Sequence, residues 1–293
     1  MFWLIIIILA YFFLALSSLG DKLYLKGKED PKTYVFYVGL LGGLLIFLIP
    51  FLNLSNISFI WPALEGVVYI CALYALYYAL DKFEVSTIVP GIGGLQPIFI
   101  LLLTIVFFGI TVSIKSILAL IILIIGTFLI SMEKGRREIK NRELLFCVIP
   151  AVLFAGDFIL TKQVFNVMPF LEGIVLMRIF SFLAVLIFLF DKKFRKNIFK
   201  KKKNDKKLIF LGTQLSGGVG ILLQSYAISL VPVMHLATLN ALKGIQYIFL
   251  IFITFIISTF YSKLLKESFS KKSLIRKIIS IVFIVIGIAL LAI

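Results

Sequence analysis

Long apolar runs recur along the whole chain and set its predicted architecture. A membrane-spanning helix needs about 20 mostly apolar residues. Ten runs approach that length, at about 2–20, 34–52, 61–80, 85–108, 112–132, 143–163, 170–190, 207–229, 231–258 and 271–292. A transmembrane β-barrel would instead show short strands of alternating polarity, and the run Leu118–Leu129 does not alternate. The pattern predicts an all-α polytopic membrane protein with ten transmembrane helices.

Basic residues are distributed unevenly between the loops that join these runs. The odd-numbered loops hold 26 of the 30 lysines and arginines, whereas the even-numbered loops hold only Lys115 and Lys162. Lysine and arginine favour cytoplasmic loops. We therefore expect a multi-pass protein of the cytoplasmic membrane, with the odd-numbered loops in the cytoplasm and both termini outside. The run Lys200–Lys203 is interpreted as part of this topology signal and not as a nucleic-acid site, because no aromatic residues interleave with it.

The composition agrees with a membrane protein. The chain of 293 residues is 61% hydrophobic and 15% charged, and its mean hydropathy is +1.12. A soluble protein is about half apolar and about a quarter charged, so a soluble enzyme and a disordered chain are both excluded. Cys71 and Cys147 lie too far apart in sequence to suggest a disulfide scaffold. Most of the formal net charge of +16 therefore comes from the basic residues of the odd-numbered loops, which indicate topology.

Two halves of the chain share a weak internal repeat. The tract Gly-Asp-x4-Lys occurs at 20–26 and again at 156–162, and a proline opens the next run in each case, at Pro31 and Pro169. The predicted repeats are residues 1–142 and residues 143–293, with five predicted helices in each. Because five is odd, the second repeat must enter the membrane inverted relative to the first. The basic loops invert at the same point of the chain.

Inverted repeats around a midplane site are an architecture of secondary transporters. Exchanging the conformations of the two halves would open the site to one side of the membrane and then to the other. This pattern predicts alternating access. It favours a transporter over a membrane enzyme.

The junction between the third and fourth predicted helices carries Tyr77–Leu80, then Val85–Thr87, then Leu95–Phe99. This stretch is similar to the corresponding junction in the drug/metabolite transporter (DMT) superfamily, in its EamA-like branch of ten-helix carriers. The resemblance runs the length of the chain. It implies export or exchange of small metabolites, without naming the substrate.

The chain also departs from the family pattern. The second copy of the junction, Gly244–Phe249, has no proline. Family members often carry a glutamate after helices four and nine, and here Glu267 matches the second position whereas Gly109 stands at the first. An arginine is frequent in helices two and seven, and Arg178 matches the second whereas Leu40 stands at the first. The resemblance implies an N-terminus in the cytoplasm, as in most such carriers. The basic loops here indicate instead that the N-terminus lies outside.

Lys243 is the main candidate for substrate binding, because it lies near the middle of the ninth predicted helix. Ionisable groups inside a membrane are costly and normally face a cavity or a partner. Asn240 and Tyr247 lie three positions before and four positions after it, which puts the three on one helical stripe. Such a group could hold a carboxylate or a phosphate. The alternative is a structural ion pair between Lys243 and either Glu65 or Asp157.

Two buried acids are candidates for carrying a coupling proton. Glu65 lies about one turn inside the third helix, where it is either a proton-coupling acid or an interface residue. Asp157 lies deeper, and its partner could be Lys162, Arg178 or Lys243. The helix that carries Arg178 offers no acid on the same face, so this arginine needs a partner from another helix or a substrate anion.

Helix four is predicted to break or bend and to line the site. It contains three glycines and two prolines within eight residues, Pro90–Pro97, and proline interrupts a helix. Broken helices at mid-membrane expose backbone groups to a ligand. The alternative is close helix packing through small residues. The complete predicted substrate-binding set is Lys243, Asn240, Tyr247, Gln96, Gln224, Arg178 and Tyr78, and the predicted coupling acids are Glu65 and Asp157.

No cofactor or metal is expected. His235 is interpreted as an interfacial or proton-relay residue, because no Cys, His or carboxylate spacing indicates a metal site, and no P-loop is present. The predicted function is transport of a small metabolite, an amino acid or a similar polar or anionic compound, with proton or exchange coupling. The alternatives are an exporter of drugs or lipophilic cations and a flippase or membrane-embedded enzyme. The oligomeric state stays open, with a homodimer as one option.

Overall fold

The computed structural model describes residues 2–25, 30–55, 57–83, 85–111, 113–131, 141–198 and 207–260, together with 275, 279–283, 286–287 and 290. Up to residue 260 these ranges form α-helices joined by short 3₁₀ segments, and no strand occurs among them. The helices are α1 (Phe2–Leu25), α2 (Pro31–Gly42), α3 (Ile60–Lys82), α4 (Val85–Phe108), α5 (Ile114–Ser131), α6 (Asn141–Val167), α7 (Phe170–Leu186), α8 (Lys192–Ile198), α9 (Lys207–Leu230), α10 (Leu236–Ala241) and α11 (Gly244–Phe260). The predicted all-α polytopic fold is confirmed.

Seven stretches of the described residues are long and apolar enough to cross a membrane. They are Phe2–Gly20, Pro31–Phe51, Ile60–Lys82, Gly91–Phe108, Leu145–Val167, Phe170–Phe190 and Val233–Thr254. A shorter apolar stretch, Ile114–Gly126, lies in α5, and α9 is a helix of 24 residues. The predicted tenth helix, 271–292, lies largely outside the described residues. The number ten therefore stays a prediction.

The second helix of each predicted half is built in the same way. Pro31 stands at the first position of α2, and Pro169 is the N-cap of α7. Proline suits a helix start because the N–H that it lacks would have no partner there. Both helices continue into a 3₁₀ segment, Gly43–Phe51 after α2 and Ile187–Phe190 after α7.

The first helix of each predicted half packs against the other predicted half. Helix α1 contacts α9 and α11, and helix α6 contacts α3 and α4. In both cases the partners are the third and fourth membrane segments of the opposite half. A shared apolar core lies between these helices and includes Tyr11 of α1, Phe158 of α6 and Leu239 of α10, each at most 2% exposed.

The ninth predicted helix, 231–258, is interrupted in the structure. Helix α10 ends at Ala241, and α11 begins at Gly244. Around the interruption the N–H of Lys243 donates to the carbonyl of Asn240 at 2.9 Å, and the N–H of Gln246 donates to the carbonyl of Lys243 at 3.0 Å. These bonds span three residues instead of four. The tightened segment between the two helices is called the α10–α11 break below.

Helix α4, by contrast, is continuous from Val85 to Phe108, so the predicted break does not occur there. Its glycines serve close packing instead. A Cβ added at Gly91 would lie 2.5 Å from Sγ of Cys147 on α6, and one added at Gly93 would lie 3.1 Å from the hydroxyl of Tyr247 on α11. The packing alternative therefore explains this glycine-rich tract, because neighbouring helices approach where side chains are missing.

Candidate functional site

Lys243 lies in the α10–α11 break, so its neighbourhood contains helix ends as well as side chains. Its ammonium makes no ion pair or hydrogen bond with any residue that the structure describes. The break also frees backbone groups. The hydroxyl of Tyr11 on α1 donates to the carbonyl of Leu239 at 2.9 Å, which satisfies an acceptor that a continuous helix would have paired with the N–H of Lys243. Lys243, which has no partner among the described residues, thus lies at a helix interruption that is stabilised by the hydrogen bond from Tyr11 of α1.

Four buried polar atoms close to this break have no hydrogen-bond partner in the part of the chain that the structure describes. They are Oε1 of Gln96, Oδ1 of Asn240, Oε1 of Gln246 and the hydroxyl of Tyr247. The residues Gln96 and Asn240 are only 4% and 2% exposed. A buried polar group without a partner costs about 1–3 kcal/mol, so native structures rarely keep several together. Unused hydrogen-bonding capacity of this kind is what a polar ligand would occupy.

Helix packing brings these residues to one interface. The hydroxyl of Tyr247 lies against Gly93, and Gln96 follows Gly93 by three positions on the same face of α4. Helix α10, which carries Asn240, also packs against α4. On the other side the amide of Gln246 donates to Oγ of Ser18 on α1 at 3.0 Å. We call Lys243, Gln96, Asn240, Gln246 and Tyr247 the Lys243 group.

A second polar group lies between α3, α6 and α7. Nη2 of Arg178 donates to Oε1 of Glu65 at 2.9 Å, and the guanidinium lies 4.2 Å from the ring centroid of Tyr69. The carboxyl of Asp157 and the hydroxyl of Thr161 lie close to the Glu65 carboxyl. Glu65 is wholly buried. Arg178, predicted to bind substrate, therefore lies with the two predicted coupling acids and takes its partner from another helix.

The charges of this second group do not cancel when all three residues are ionised. Two carboxylates and one guanidinium carry a net charge of −1. Three of their buried atoms also lack a hydrogen-bond partner among the described residues, namely Oε2 of Glu65, Oδ1 of Asp157 and Nε of Arg178. Since an unpaired charge in a low-dielectric interior is very costly, a single added proton would balance the group. We call Glu65 and Asp157 the carboxyl pair.

Lys162 caps the end of α9. Its Nζ donates to the carbonyls of Ile228, Ser229 and Val231 at 3.1, 3.0 and 2.8 Å. The last carbonyls of a helix lack N–H partners, and here Pro232 removes the donor that would have served Ile228. The expectation that Lys162 is a partner of Asp157 is therefore wrong, because its ammonium is directed to backbone carbonyls.

The remaining predicted residues lie apart from the Lys243 group. Gln224 is half-buried on α9, and no hydrogen bond joins it to the Lys243 group among the described residues. Tyr78 is 40% exposed and stacks on Phe146 with ring centroids 6.0 Å apart. His235 is half-buried in a 3₁₀ turn before α10. The described part of the chain contains no cluster of three or more His, Cys, Asp or Glu side chains that could hold a metal ion.

Four contributors to these groups were not identified from the sequence. Tyr11 and Ser18 of α1 support the α10–α11 break and Gln246, while Tyr69 and Thr161 contact Arg178 and Glu65. Tyr69 and Thr161 lie four positions from Glu65 and Asp157 respectively, and this spacing shares a helix face. Helical periodicity could therefore have identified these two. Nothing in the sequence pattern indicates the partners of Tyr11 and Ser18.

An ion pair joins the first turn of α2 to the turn before α8. Nζ of Lys32 lies 2.9 Å from Oδ2 of Asp191. Oδ1 of Asp191 accepts the backbone N–H groups of Lys193 at 3.0 Å and Phe194 at 3.3 Å, which begins α8. The hydrogen bond from Lys32, followed by those two backbone donors, lowers the pKa of the Asp191 carboxyl below its ordinary value of 3.8.

Comparisons with known proteins relate the first part of the chain to a transporter family. Residues 1–132 match the family model of the EamA-like transporter family, which belongs to the DMT superfamily. A solved structure, described only as "Crystal structure of protein", is 15% identical, covers 98% of this chain and 94% of its own, and has a TM-score of 0.68. That likeness concerns the fold alone. No curated protein matches the chain. The chain is therefore a multi-pass membrane protein whose residues 1–132 are similar to the EamA-like transporter family of the DMT superfamily.

Proposed function

We propose that the protein is a secondary transporter that moves a small polar or anionic metabolite, such as an amino acid, across the cytoplasmic membrane by alternating access. Members of the matched family are transporters of small molecules. The observation that carries the proposal is the Lys243 group, which combines a cation in a helix break with four buried polar atoms that have no hydrogen-bond partner among the described residues.

Lys243 anchors an anionic group of the substrate in this proposal. In a low-dielectric interior the attraction between an ammonium and an anion is much stronger than in water. The N-terminus of α11 begins directly after Lys243, and the partial positive charge of a helix N-terminus also favours an anion. Gln96, Asn240 and Tyr247 supply the polar contacts to the rest of the substrate. The two halves of the ninth membrane segment thus meet at the binding site.

The carboxyl pair carries the coupling proton. With one proton, a carboxylic acid donates to the neighbouring carboxylate, and the remaining negative charge pairs with Arg178. Without that proton, one negative charge is left uncompensated. The group joins α3 of the first half to α6 and α7 of the second half. A proton bound there therefore acts on the contact between the halves, which is the contact that alternating access must change.

The packing of the helices supports an inverted repeat. Helices α1 and α6 contact corresponding helices of the opposite half, and α2 and α7 begin with prolines and end in 3₁₀ segments. Five membrane segments in each half would give the two copies opposite orientations. Either half could then provide the path to one side of the membrane.

A metabolite screen on the purified protein tests the proposal. Compounds that raise the melting temperature of the wild type are then assayed for uptake into proteoliposomes. The variant Lys243→Gln should lower uptake of an anionic substrate by about 10- to 100-fold, since a hydrogen bond to a charged group contributes about 1.5–3 kcal/mol. Lys115→Gln is the matched control, because it removes the same charge from an exposed position on α5. Unchanged uptake by Lys243→Gln would refute the anchoring role.

An exporter of lipophilic cations is the second candidate, and the excess negative charge of the carboxyl pair favours it. A cation could replace the proton between Glu65 and Asp157. In that case Glu65→Gln would abolish binding of tetraphenylphosphonium, and Lys243→Gln would leave it unchanged. The opposite dependence, with anionic metabolites bound through Lys243, supports the first candidate.

A further inference from the structure

Helix α6 contributes to one polar group and shares an apolar core with the α10–α11 segment that carries most of the other. One face supplies Asp157 and Thr161 to the group that contains Glu65. Another face, with Phe158 and Ile159, belongs to the apolar core that contains Leu239 and Leu242 of the α10–α11 segment. The helix is therefore the structural element shared by the carboxyl pair and the neighbourhood of Lys243.

Lys162 connects α6 by hydrogen bonds to the end of α9, which leads into the α10–α11 segment. It follows Asp157 by five positions on α6, and its three hydrogen bonds fix the carbonyls of Ile228, Ser229 and Val231. From Val231 the chain runs through Pro232 and the 3₁₀ turn Val233–His235 into α10, and Lys243 lies 12 positions after Val231. A displacement of α6 at Asp157 would therefore move the start of the segment that contains Lys243.

The ammonium of Lys162 suits this role because all of its donors are used. An ammonium has three N–H donors and no acceptor, and each donor here meets one carbonyl. Lys162 is 6% exposed, so water does not compete readily for these bonds. A positive charge at a helix C-terminus also interacts favourably with the helix dipole. The end of α9 is thereby attached to α6 by three bonds that share one side chain.

We propose that Lys162 is a positioning residue that transmits the protonation state of the carboxyl pair to the Lys243 group. The inference rests on the proposed function, because it assumes that the carboxyl pair binds a coupling proton. A proton added between Glu65 and Asp157 forms a hydrogen bond between the two carboxyls and draws α6 toward α3. Loss of that proton leaves two facing carboxylates that repel each other. Lys162 carries the resulting displacement of α6 to the α9–α10 corner.

The surroundings of the carboxyl pair contain few other titratable groups. Arg178 faces it from α7, and Tyr69 faces it from α3. Helix α4, which also packs against α6, has no titratable side chain. A response between pH 5 and pH 8 that depends on both Glu65 and Asp157 is therefore assigned to the pair.

Spin-label distances test the inference with the proton itself as the ligand. Phe59 before α3 and Met234 before α10 are 47% and 50% exposed, and both are replaced by labelled cysteines in a Cys71→Ser, Cys147→Ala background. Distances are measured in lipid nanodiscs at pH 5 and pH 8. We expect a pH-dependent shift in the otherwise unchanged chain. The shift should be lost in Lys162→Met and in Glu65→Gln, and it should persist in the control Lys115→Met.

Two results overturn the inference. One is the same pH-dependent shift in Lys162→Met as in the chain that keeps Lys162, and the other is no shift in either chain. If Lys162→Met fails to fold, Lys162→Gln replaces it, because an amide still donates to part of the carbonyl set. A purely structural role would lower the melting temperature without removing the pH-dependent shift.

The proposed function can fail separately. Its failure would be uptake that does not depend on Lys243, and this result leaves the distance measurement unaffected. Conversely, uptake that depends on Lys243 together with an undiminished shift in Lys162→Met would refute only the role of Lys162.

Discussion

Nη2 of Arg178 lies 2.9 Å from Oε1 of Glu65, and this ion pair connects α7 of the second half to α3 of the first. The close approach of the two helices has a local cause at Gly66. A Cβ added there would lie 2.6 Å from the backbone nitrogen of Ser181, so a larger residue would force the helices apart. The residue beside Glu65 therefore sets the distance across which the ion pair forms.

Replacing the two acids singly and together should show strong non-additivity in stability. Glu65→Gln or Asp157→Asn alone leaves one carboxylate for Arg178, so each should lower the free energy of unfolding by about 1 kcal/mol or less. The double variant leaves the guanidinium without a negative partner, which costs about 3–5 kcal/mol for a buried pair. Equilibrium unfolding in mixed micelles measures all three variants. Additive losses would contradict the shared-partner arrangement.

Gly91→Ala should destabilise the protein by about 1–3 kcal/mol, because the new methyl group would overlap Cys147 on α6. The additional change Cys147→Ala removes the overlapping sulfur and should recover most of this loss. Gly212→Ala on α9 is the control, since among the described residues the added Cβ meets no side chain or other helix within 4 Å, and alanine is favoured over glycine in a helix. The measurement is the melting temperature of the wild type, Gly91→Ala, the double variant Gly91→Ala with Cys147→Ala, and Gly212→Ala. A loss in Gly91→Ala that Cys147→Ala does not relieve would show that the α4–α6 contact is not its cause.

The contribution of the Lys32–Asp191 pair should depend on pH. Because the folded pKa of Asp191 lies below its ordinary value of 3.8, the stabilisation is fully present above pH 3.8 and is lost as the pH falls through the lowered value. Asp191→Asn should therefore melt below the wild type at pH 7, and the difference should shrink below pH 3.8. A difference that grows on acidification would contradict this arrangement.

The orientation of the chain can be tested by cysteine labelling in intact cells. With Cys71 and Cys147 replaced, Lys196→Cys on exposed α8 should react with a membrane-impermeant maleimide only after the cells are opened. Ser55→Cys, in the exposed loop after the second segment, should react in intact cells. These outcomes follow from the distribution of the basic loops. Labelling of Lys196→Cys from outside would reverse the proposed topology.

The helices were predictable because their apolar runs are long, whereas their interruptions were not. The two prolines of helix four suggested a break there, yet α4 is continuous and packs its glycines against Cys147 and Tyr247. The break lies instead beside Lys243. No proline marks that position, and the freed carbonyl of Leu239 is satisfied by Tyr11 from a helix 228 positions away. A local pattern cannot reveal a partner so distant in sequence.

The ionisable residues of the site could be identified from the sequence, but the pairs that they form could not. Burial of an ionisable side chain in a membrane marks it as unusual, which singled out Lys243, Arg178, Glu65 and Asp157. Which charges meet depends on which helices pack together. Because α3 packs against α7, Glu65 forms an ion pair with Arg178. The ammonium of Lys162 instead donates to carbonyls at the end of α9.

The central claim is that Lys243 binds the anionic group of the substrate. It is tested most directly by the dissociation constants of an anionic ligand from the metabolite screen and of its methyl ester, each measured on the wild type and on Lys243→Gln. The acid should bind the wild type about 10- to 100-fold more tightly than it binds the variant, and the ester should bind both equally. Equal affinity of the acid for the two proteins, or an equal loss for acid and ester, would contradict the claim.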